Sequence, residues 1–436
     1  MTNAPWRILD IDLAEGPRDV AADGSPHLLV LWWRSLPIGT LALARSELPF
    51  SAAQLADAAV PMLADQALAR TTARYAGEDG APQEPAGLDA AMSLDVLGQL
   101  DAVAAAPPPR ADRLSVIVCT RDRPQQLAAC LDSLATQAAL PGQVVVVDNS
   151  GGGSAREICA RPGVTYLHEP APGLSRARNA GLAAARGDLL AFTDDDVELA
   201  PSWTQEVVRA FDDVSVDAVT GLVLPARLDT PAQRAFEIDL GGFTSRHFPI
   251  RFDSRFLEVT RHMGPQVWRI GAGANMAFRR SVFARLGGFD ERLGAGASGC
   301  SEDSEFWYRI LAAGGVCLYE PRAVVRHHHR SDWQGLRRQL RAYMAGHVAA
   351  LVAQADRYGH RGNIRRIFRQ LPVYFARKAM QAVQNLQGWR LRLLWAEVVG
   401  WAIGLTYLLR PRWRRIGRAS RSRAASPAAT AEVRHA

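Results

Sequence analysis

The chain has 436 residues, 48% of them hydrophobic, so it is long for one domain and can build two or three with large cores. Lysine and arginine outnumber aspartate and glutamate by 51 to 44, a formal charge of +7, and the excess is concentrated near the C-terminus in "RPRWRRIGRASRSR" (410–423). Five cysteines, an odd number without CxxC spacing, argue against a zinc finger and for buried thiols in a reducing compartment.

The start, "MTNAPWRILDIDLAEG", lacks a basic segment followed by an apolar core, so secretion by a signal peptide is not expected. Residues 1–103 read as a small α+β unit. "HLLVLWWRSLPIGTLAL" (27–43) predicts two strands about a Pro-Gly turn, and "SAAQLADAAVPMLADQALA" (51–69) a helix. No catalytic constellation falls in this unit. The run "AAAPPPRADR" predicts a linker over 104–113, since consecutive prolines cannot continue a helix.

From Leu114 short apolar runs alternate with helical spacing. Strands are expected at 114–120, 143–150, 164–169, 188–196 and 216–224, and helices at "PQQLAACLDSLATQ", "SAREICAR", "SRARNAGLAAARG" and "SWTQEVVRAF". Near-continuous Val, Ile and Leu between helices predicts a mostly parallel sheet covered on both faces. Ligands of such sheets bind beyond the carboxyl ends of the strands. Thr120, Arg121 and Asp122 follow the first strand, Asp148 and Asn149 the second, and Asp194, Asp195 and Asp196 the fourth.

Three adjacent carboxylates repel one another unless a cation neutralises them. Strand alternation would point Asp194 and Asp196 the same way and Asp195 the other, making an Asp-x-Asp unit suited to Mg or Mn. The same triplet also reads as an acidic helix start. In "GCSEDSEFWYRILAAGG" (299–315), Glu302 and Asp303 open a helix whose Phe306, Trp307, Ile310 and Leu311 recur at core spacing. A carboxylate there is a candidate general base or a cap. "VVRHHHR" (324–330) offers His327, His328 and His329, one of which could complete a metal site. "SGGGS" (150–154) reads as a turn, and "GAGANMAFRR" (271–280) as a place of close approach.

The last third, 347–436, reads as a helical, arginine-rich extension. "RLRLLWAEVVGWAIGLTYLLRPRWRR" (390–415) is interrupted by Arg392 and Glu397, and its uninterrupted run is too short to span a bilayer. The reading is a helix in the membrane interface anchored by Trp395, Trp401, Tyr407, Trp413 and the arginines that follow; the alternative is a helix packed on the preceding domain. No nucleic-acid module accompanies the basic run, so nucleic acid is not an expected partner.

In order, "LSVIVCTRDRP", "VVVVDNS", "GLSRARNAGLAAARGDLLAFTDDD", "GANMAFRRSVFARLGGFDERLG", "SEDSEFWYRILAAG" and "VRHHHR" resemble family 2 glycosyltransferases of the GT-A fold, of the bacterial cell-surface polysaccharide type. The resemblance covers 114–346 and implies a Rossmann-like, mostly parallel sheet flanked by helices. It implies a hexosyl- or deoxyhexosyltransferase that inverts the sugar of a UDP-, dTDP- or GDP-linked donor. The acceptor would be a glycan or lipid-linked glycan at the cytoplasmic face of the cell membrane, in contact with anionic lipid. Thr120, Arg121, Asp148, Arg178, Asn179, Asp194 and Asp195 would border the nucleotide sugar, with Asp148 on the base and Asp195 the most replaceable. Asp196, Asp194 and His327, with His329 as substitute, would hold Mn or Mg. Asp303 would be the general base, supported by Glu302. Against this stand a catalytically silent binding module and a nucleotidyltransferase of similar architecture. Two features depart from the family: familiar members begin near the first strand, whereas about 110 residues precede it here, and the C-terminal part lacks the several spanning helices of the processive synthases.

Overall fold

The computed structural model describes residues 4–71, 90–106, 109–243 and 246–409. The N-terminal unit is a three-stranded sheet of Arg7–Asp12 (β1), His27–Trp33 (β2) and Leu36–Leu43 (β3), backed by helices Ala52–Thr71 and Ala90–Ala104. Alternation along β2 decides how this unit sits. Leu29 and Leu31 join its own core with Ile11 and Leu55, whereas Val30 faces the other way and packs with Leu222, Leu224 and Val324 of the larger sheet. An ion pair of Asp10 with Arg326 (2.6 Å) adds a polar tie.

The larger sheet contains Leu114–Thr120 (β4), Gln143–Asp148 (β5), Val164–His168 (β6), Leu189–Asp194 (β7), Val197–Leu199 (β8), Ala218–Pro225 (β9), Ile250–Phe252 (β10), Asn275–Arg279 (β11) and Cys317–His327 (β12). Its order is β10-β12-β9-β11-β7-β4-β5-β6, with β8 on β12. β7, β4, β5 and β6 are parallel, as the apolar runs predict. β11 lies antiparallel between β7 and β9. This is the mixed, mostly parallel sheet of the GT-A fold, with helices on both faces and a helical C-terminal extension.

Register places the polar strand ends side by side. Thr120 pairs with Asp148, and Cys119 with Asp194, so the carboxyl ends of β4, β5 and β7 open on one crevice. The turn between β7 and β8 then carries Asp195 and Asp196 across to β12: Val197 pairs with His327, and the His328 N–H donates to the Asp196 carbonyl at 2.9 Å.

Two expectations change. The helix expected at 154–161 is a run of turns, because Ser150 Oγ accepts the N–H groups of Gly153 and Ser154 and Asp148 accepts that of Ala155, satisfying the backbone locally. The C-terminal apolar helix, Gly388–Leu405, is packed on the domain, the alternative to an interfacial helix. Gly400 and Gly404 let it lie against Arg341 and Val348 of helix Trp333–Tyr358, and Trp401 and Tyr407 hydrogen-bond inward to the carbonyls of Ile367 and Ala297. Of the four expected anchors Trp395 faces outward, at 68% exposure, and Trp413 lies outside the described residues, as does the basic run 410–423. Gly388–Leu409 is long and apolar enough to cross a membrane by length and composition, and helix Trp333–Tyr358 itself crosses the boundary expected at 346.

Helix Leu174–Ala184 lies close enough to the sheet that a Cβ on Gly181 would come within 2.5 Å of Ile117 Cγ2 and 3.0 Å of Val147 Cγ2. Both methyls belong to fully buried strand residues and have no room to yield. Gly181→Ala is therefore expected to cost about 1–3 kcal/mol, read as a lower guanidinium midpoint at unchanged m-value.

Candidate active site

The crevice is organised by one buried cation. Arg178, on helix Leu174–Ala184, is 2% exposed and aims its guanidinium at the end of the sheet. Nη1 donates to Glu302 Oε1, while Nη2 donates to Asp194 Oδ1 at 3.3 Å and to the Gly273 carbonyl at 3.1 Å. Asp303 lies beside the same group. A Cβ on Gly273 would meet Asp303 Oδ2 at 2.9 Å and Arg178 Nη2 at 3.1 Å, so only glycine lets the backbone pass between them. Residues from four separate stretches thus meet on one guanidinium.

Helix Glu302–Ala312 supplies two of the carboxylates. Its apolar side, including Phe306, Trp307, Ile310 and Leu311, is fully buried, as the spacing predicts, and this fixes the helix start against the crevice. Ser301, just before it, has φ 70°, a left-handed conformation that a side chain adopts only where its surroundings impose it. Asp122, in the loop after β4, has φ 57°.

Charge around Arg178 is unbalanced, with one cation facing Asp194, Glu302 and Asp303. Burial, opposed by Arg178 and reinforced by the Asp303 charge, pushes Glu302 up to about 7, and its Oε2 is buried without a hydrogen-bond partner. Burial likewise raises Asp303, against the pull of Arg178 and the Ser304 N–H. Asp303 is partly open to the crevice and Glu302 is buried, so Asp303 is the one that can meet a ligand.

The aspartate triplet does not follow strand alternation, because β7 ends at Asp194 and a turn begins at Asp195. Asp195 and Asp196 turn together onto Arg123, whose Nη1 donates to Asp195 Oδ1 at 3.1 Å and Asp196 Oδ2 at 3.0 Å; Asp194 goes alone to Arg178. Asp195 is neither exposed nor idle. It is 4% exposed, accepts from Thr120 Oγ1 at 2.7 Å, and burial together with the Asp196 charge raises it to about 6 against the pull of Arg123. Asp196 overcomes its burial through His327, Arg330 and Arg123, and is held well below the usual carboxylate range.

Behind Asp196 runs a line of imidazoles. His327 Nε2 is 3.4 Å from Asp196 Oδ1, His327 Nδ1 is 2.9 Å from His329 Nδ1, and His329 Nε2 is 2.9 Å from Glu237 Oε2. Burial lowers the His329 pKa against the attraction of Glu237, which favours the neutral ring. The Glu237 carboxylate can only accept; His329 therefore donates from Nε2 and accepts at Nδ1, and His327 donates from Nδ1. His327 Nε2 then faces Asp196 Oδ1, where either a proton on that nitrogen, donated to the carboxylate, or a cation between the two would satisfy both. His328 points away, to Glu198 at 2.7 Å.

Other expected residues are placed differently. Asp148 is fully buried and accepts from Ser150 N, Ala155 N and Tyr166 Oη, so a base contact would require those bonds to be exchanged. Asn179 clamps Phe289, donating to its carbonyl at 3.0 Å and accepting its N–H at 2.8 Å. Arg121 is exposed beside Asp122, 3.8 Å away. Arg123, Arg330 and Glu237 are not singled out by the sequence, whereas Gly273 lies in the stretch expected to allow close approach and does so. The first two sit within the quoted motifs, whereas nothing local marks Glu237. A separate cleft of about 460 Å³, lined by Arg113, Gln143 and Thr165 at the amino ends of the strands, holds none of these groups.

Residues 115–287 match the family model for glycosyl transferase family 2. This part of the chain belongs to that family. The chain is 28% identical over 220 residues to the pre-mycofactocin glycosyltransferase of Mycobacterium tuberculosis, covering 49% of this chain and 43% of that one. It is 31% identical over 228 residues to the succinoglycan biosynthesis protein ExoM of Rhizobium meliloti, covering 49% and 65%. A mannosyltransferase from Pyrobaculum calidifontis, solved in complex with GDP-Man and Mn2+, aligns over 70% of this chain and 92% of its own at 18% identity, with a TM-score of 0.43.

Of the residues expected to hold a metal, the structure brings Asp196 and His327 together. Asp196 Oδ1 and His327 Nε2 are 3.4 Å apart, wider than the ~3.0 Å edge of an octahedron with bonds of about 2.1 Å, so the two would have to draw together to share a Mn or Mg ion. Among the described residues no group of three or more His, Cys, Asp or Glu converges on one point, and Asp194 is turned to Arg178. The fit is thus a two-point site open to further oxygen ligands.

Removing Arg178 would leave three carboxylates around a buried gap. Arg178→Met is expected to lower stability by about 3–5 kcal/mol in denaturant unfolding, and Glu302→Gln in that background to recover part of the loss.

Proposed function

We propose that the chain is a metal-dependent, inverting glycosyltransferase that moves a sugar from a nucleotide donor to a hydroxyl of a glycan or lipid-linked glycan in cell-envelope polysaccharide synthesis. The observation that carries this reading is the Arg178 junction. It joins Asp194, at the nucleotide-binding end of β7, to Glu302 and Asp303 on the opposite wall, so donor and base would be positioned by one rigid group. The names of the family relatives support the reaction class and polysaccharide context.

Asp303 would take the proton of the acceptor hydroxyl as its oxygen bonds to the anomeric carbon and the bond from that carbon to the diphosphate breaks, inverting the centre. Raising Asp303 toward neutrality makes it a stronger base than an ordinary aspartate. Glu302, bonded to Arg178, would hold the helix start and share the local charge. Asp194, 31% exposed at its side chain, would face the donor ribose, and Asp195 would hold Thr120 and Arg123 in place. A Mn or Mg ion held by Asp196 and His327 would neutralise charge on the departing UDP, dTDP or GDP, a contribution of several kcal/mol. Glu237 and His329 would keep the His327 Nε2 lone pair directed at that ion. We place the enzyme at the cytoplasmic face of the membrane.

The deciding experiment is a panel of nucleotide sugars with manganese or magnesium, read as release of nucleoside diphosphate. Binding without release would favour a silent binding module, and pyrophosphate release from a nucleoside triphosphate would favour a nucleotidyltransferase. Asp303→Asn is expected to lower transfer by about 10²–10⁴ with nucleotide binding retained, and Asp196→Asn to lower it at least as much.

The base must be deprotonated to act, and its pKa is raised. The acid limb of kcat/KM should therefore lie above the ordinary aspartate value of about 3.9, with activity falling as pH drops through it.

Glu237→Gln removes the group that sets the imidazole protons. Manganese affinity, followed by electron paramagnetic resonance with the accepted nucleoside diphosphate present, should fall about 10–100-fold with little change in melting temperature.

A further inference from the structure

Most of the large apolar side chains that the described residues leave exposed fall between Ile364 and Leu409. Helix Leu371–Gln384 is held by Leu371, Phe375 and Ala382, while Val373, Met380 and Val383 share its outer face at 46%, 56% and 60% exposure. The preceding turns add Ile364 and Phe368, and the following loop adds Leu386. An amphipathic helix whose apolar stripe faces solvent lacks the partner that would normally cover it.

The charge beside this stripe is of one sign. Between Arg361 and Gln384 the sequence has Arg361, Arg365, Arg366, Arg369, Arg377 and Lys378, and neither aspartate nor glutamate. Lys378 is paired with Glu397, and Arg366 lies over the Trp268 ring at 4.5 Å. Arg361, Arg365, Arg369 and Arg377 are exposed. Adjacent apolar and cationic side chains match an anionic lipid surface, into which the former insert while the latter meet headgroups.

The same face is joined to the active site. Arg365 donates to the His262 carbonyl at 3.3 Å and Arg366 to the Gly264 carbonyl at 3.4 Å, which fixes the segment carrying the partly exposed Met263 and Trp268. Seven residues after His262 and Met263 that segment reaches Ile270 and then Gly273, against Asp303.

We propose that the outer face of helix Leu371–Gln384, with Ile364, Phe368 and the Met263–Trp268 segment, docks the enzyme on an anionic bilayer and brings a membrane-anchored acceptor to Asp303. This rests on the transferase reading for the identity of the acceptor, but the docking is measurable without it.

The test is co-sedimentation of the full chain with vesicles of phosphatidylcholine, alone or with phosphatidylglycerol, alongside donor hydrolysis in free solution. Wild type should sediment with the anionic vesicles and lose that binding in high salt. A Phe368→Ser, Met380→Ser, Val383→Ser variant, and separately glutamine at Arg361, Arg365, Arg369 and Arg377, should each bind at least about tenfold less, with melting temperature and donor hydrolysis retained.

The proposal is overturned if wild type stays in the supernatant, or if both variants bind as wild type while removal of 410–436 abolishes binding. It is also overturned if wild type is a dimer that the serine variant dissociates, since a second copy then covers the face. Vesicle binding that follows the variants, in a protein that turns over no donor, would uphold the docking surface and refute the transferase reading.

Discussion

A guanidinium held away from water among three carboxylates constrains everything else in this domain. Arg178 cannot be moved toward solvent without separating β7 from helix Glu302–Ala312, and neither can rotate without leaving a carboxylate unpaired in the interior. Removing one member of such a group leaves uncompensated charge that costs more than the group itself gains. That asymmetry makes the junction a positioning device: it adds little net stability but makes alternative placements of Asp194 and Asp303 expensive. Burial of the junction, opposed by Arg178, then raises Glu302 and Asp303, so the geometry that positions Asp303 also sets its basicity.

The second constraint is the turn between β7 and β8. A continuous β7 would leave Asp196 on the parallel side of the sheet. Breaking the strand after Asp194 lets β8 pair with the last residues of β12, so Asp196 and His327 meet through a backbone bridge. Arg123 and Arg330 hold the Asp196 carboxylate from two sides while His327, fixed by His329 and Glu237, faces its other oxygen. A cation entering there finds one oxygen and one nitrogen already oriented, whereas Asp195 is committed to Thr120 and Arg123. The triplet therefore divides three ways: Asp194 to the Arg178 junction, Asp195 to the loop after β4, and Asp196 to His327.

The parallel strands were legible because β4, β5 and β7 are buried on both faces and must be apolar throughout; their polar ends then mark the crevice. What escaped was long-range or locally satisfied. Arg178 and Glu302 are 124 positions apart, and no spacing rule links them. Glu237 lies 92 positions from His329 in a short irregular turn, and its neighbours look like an ordinary helix. β11 was masked by the glycines before it, which signal close approach more loudly than a five-residue strand signals itself. The predicted helix at 154–161 failed for the converse reason, since Ser150 and Asp148 take up backbone donors that a helix would have used.

The C-terminal helices show why apolarity alone misassigns a segment. Gly388–Leu405 is the more hydrophobic stretch, yet glycines at 400 and 404 seat it on helix Trp333–Tyr358, which buries one face of it against protein. Helix Leu371–Gln384 is less apolar overall but segregates its residues by face, and nothing in the described chain covers the outer one. Total hydrophobicity tells how strongly a helix avoids water, while its distribution tells what surface it can meet. The first helix is seated on the domain by one face, and its neighbour, satisfying the second criterion, turns an apolar face outward beside the loop leading to Asp303.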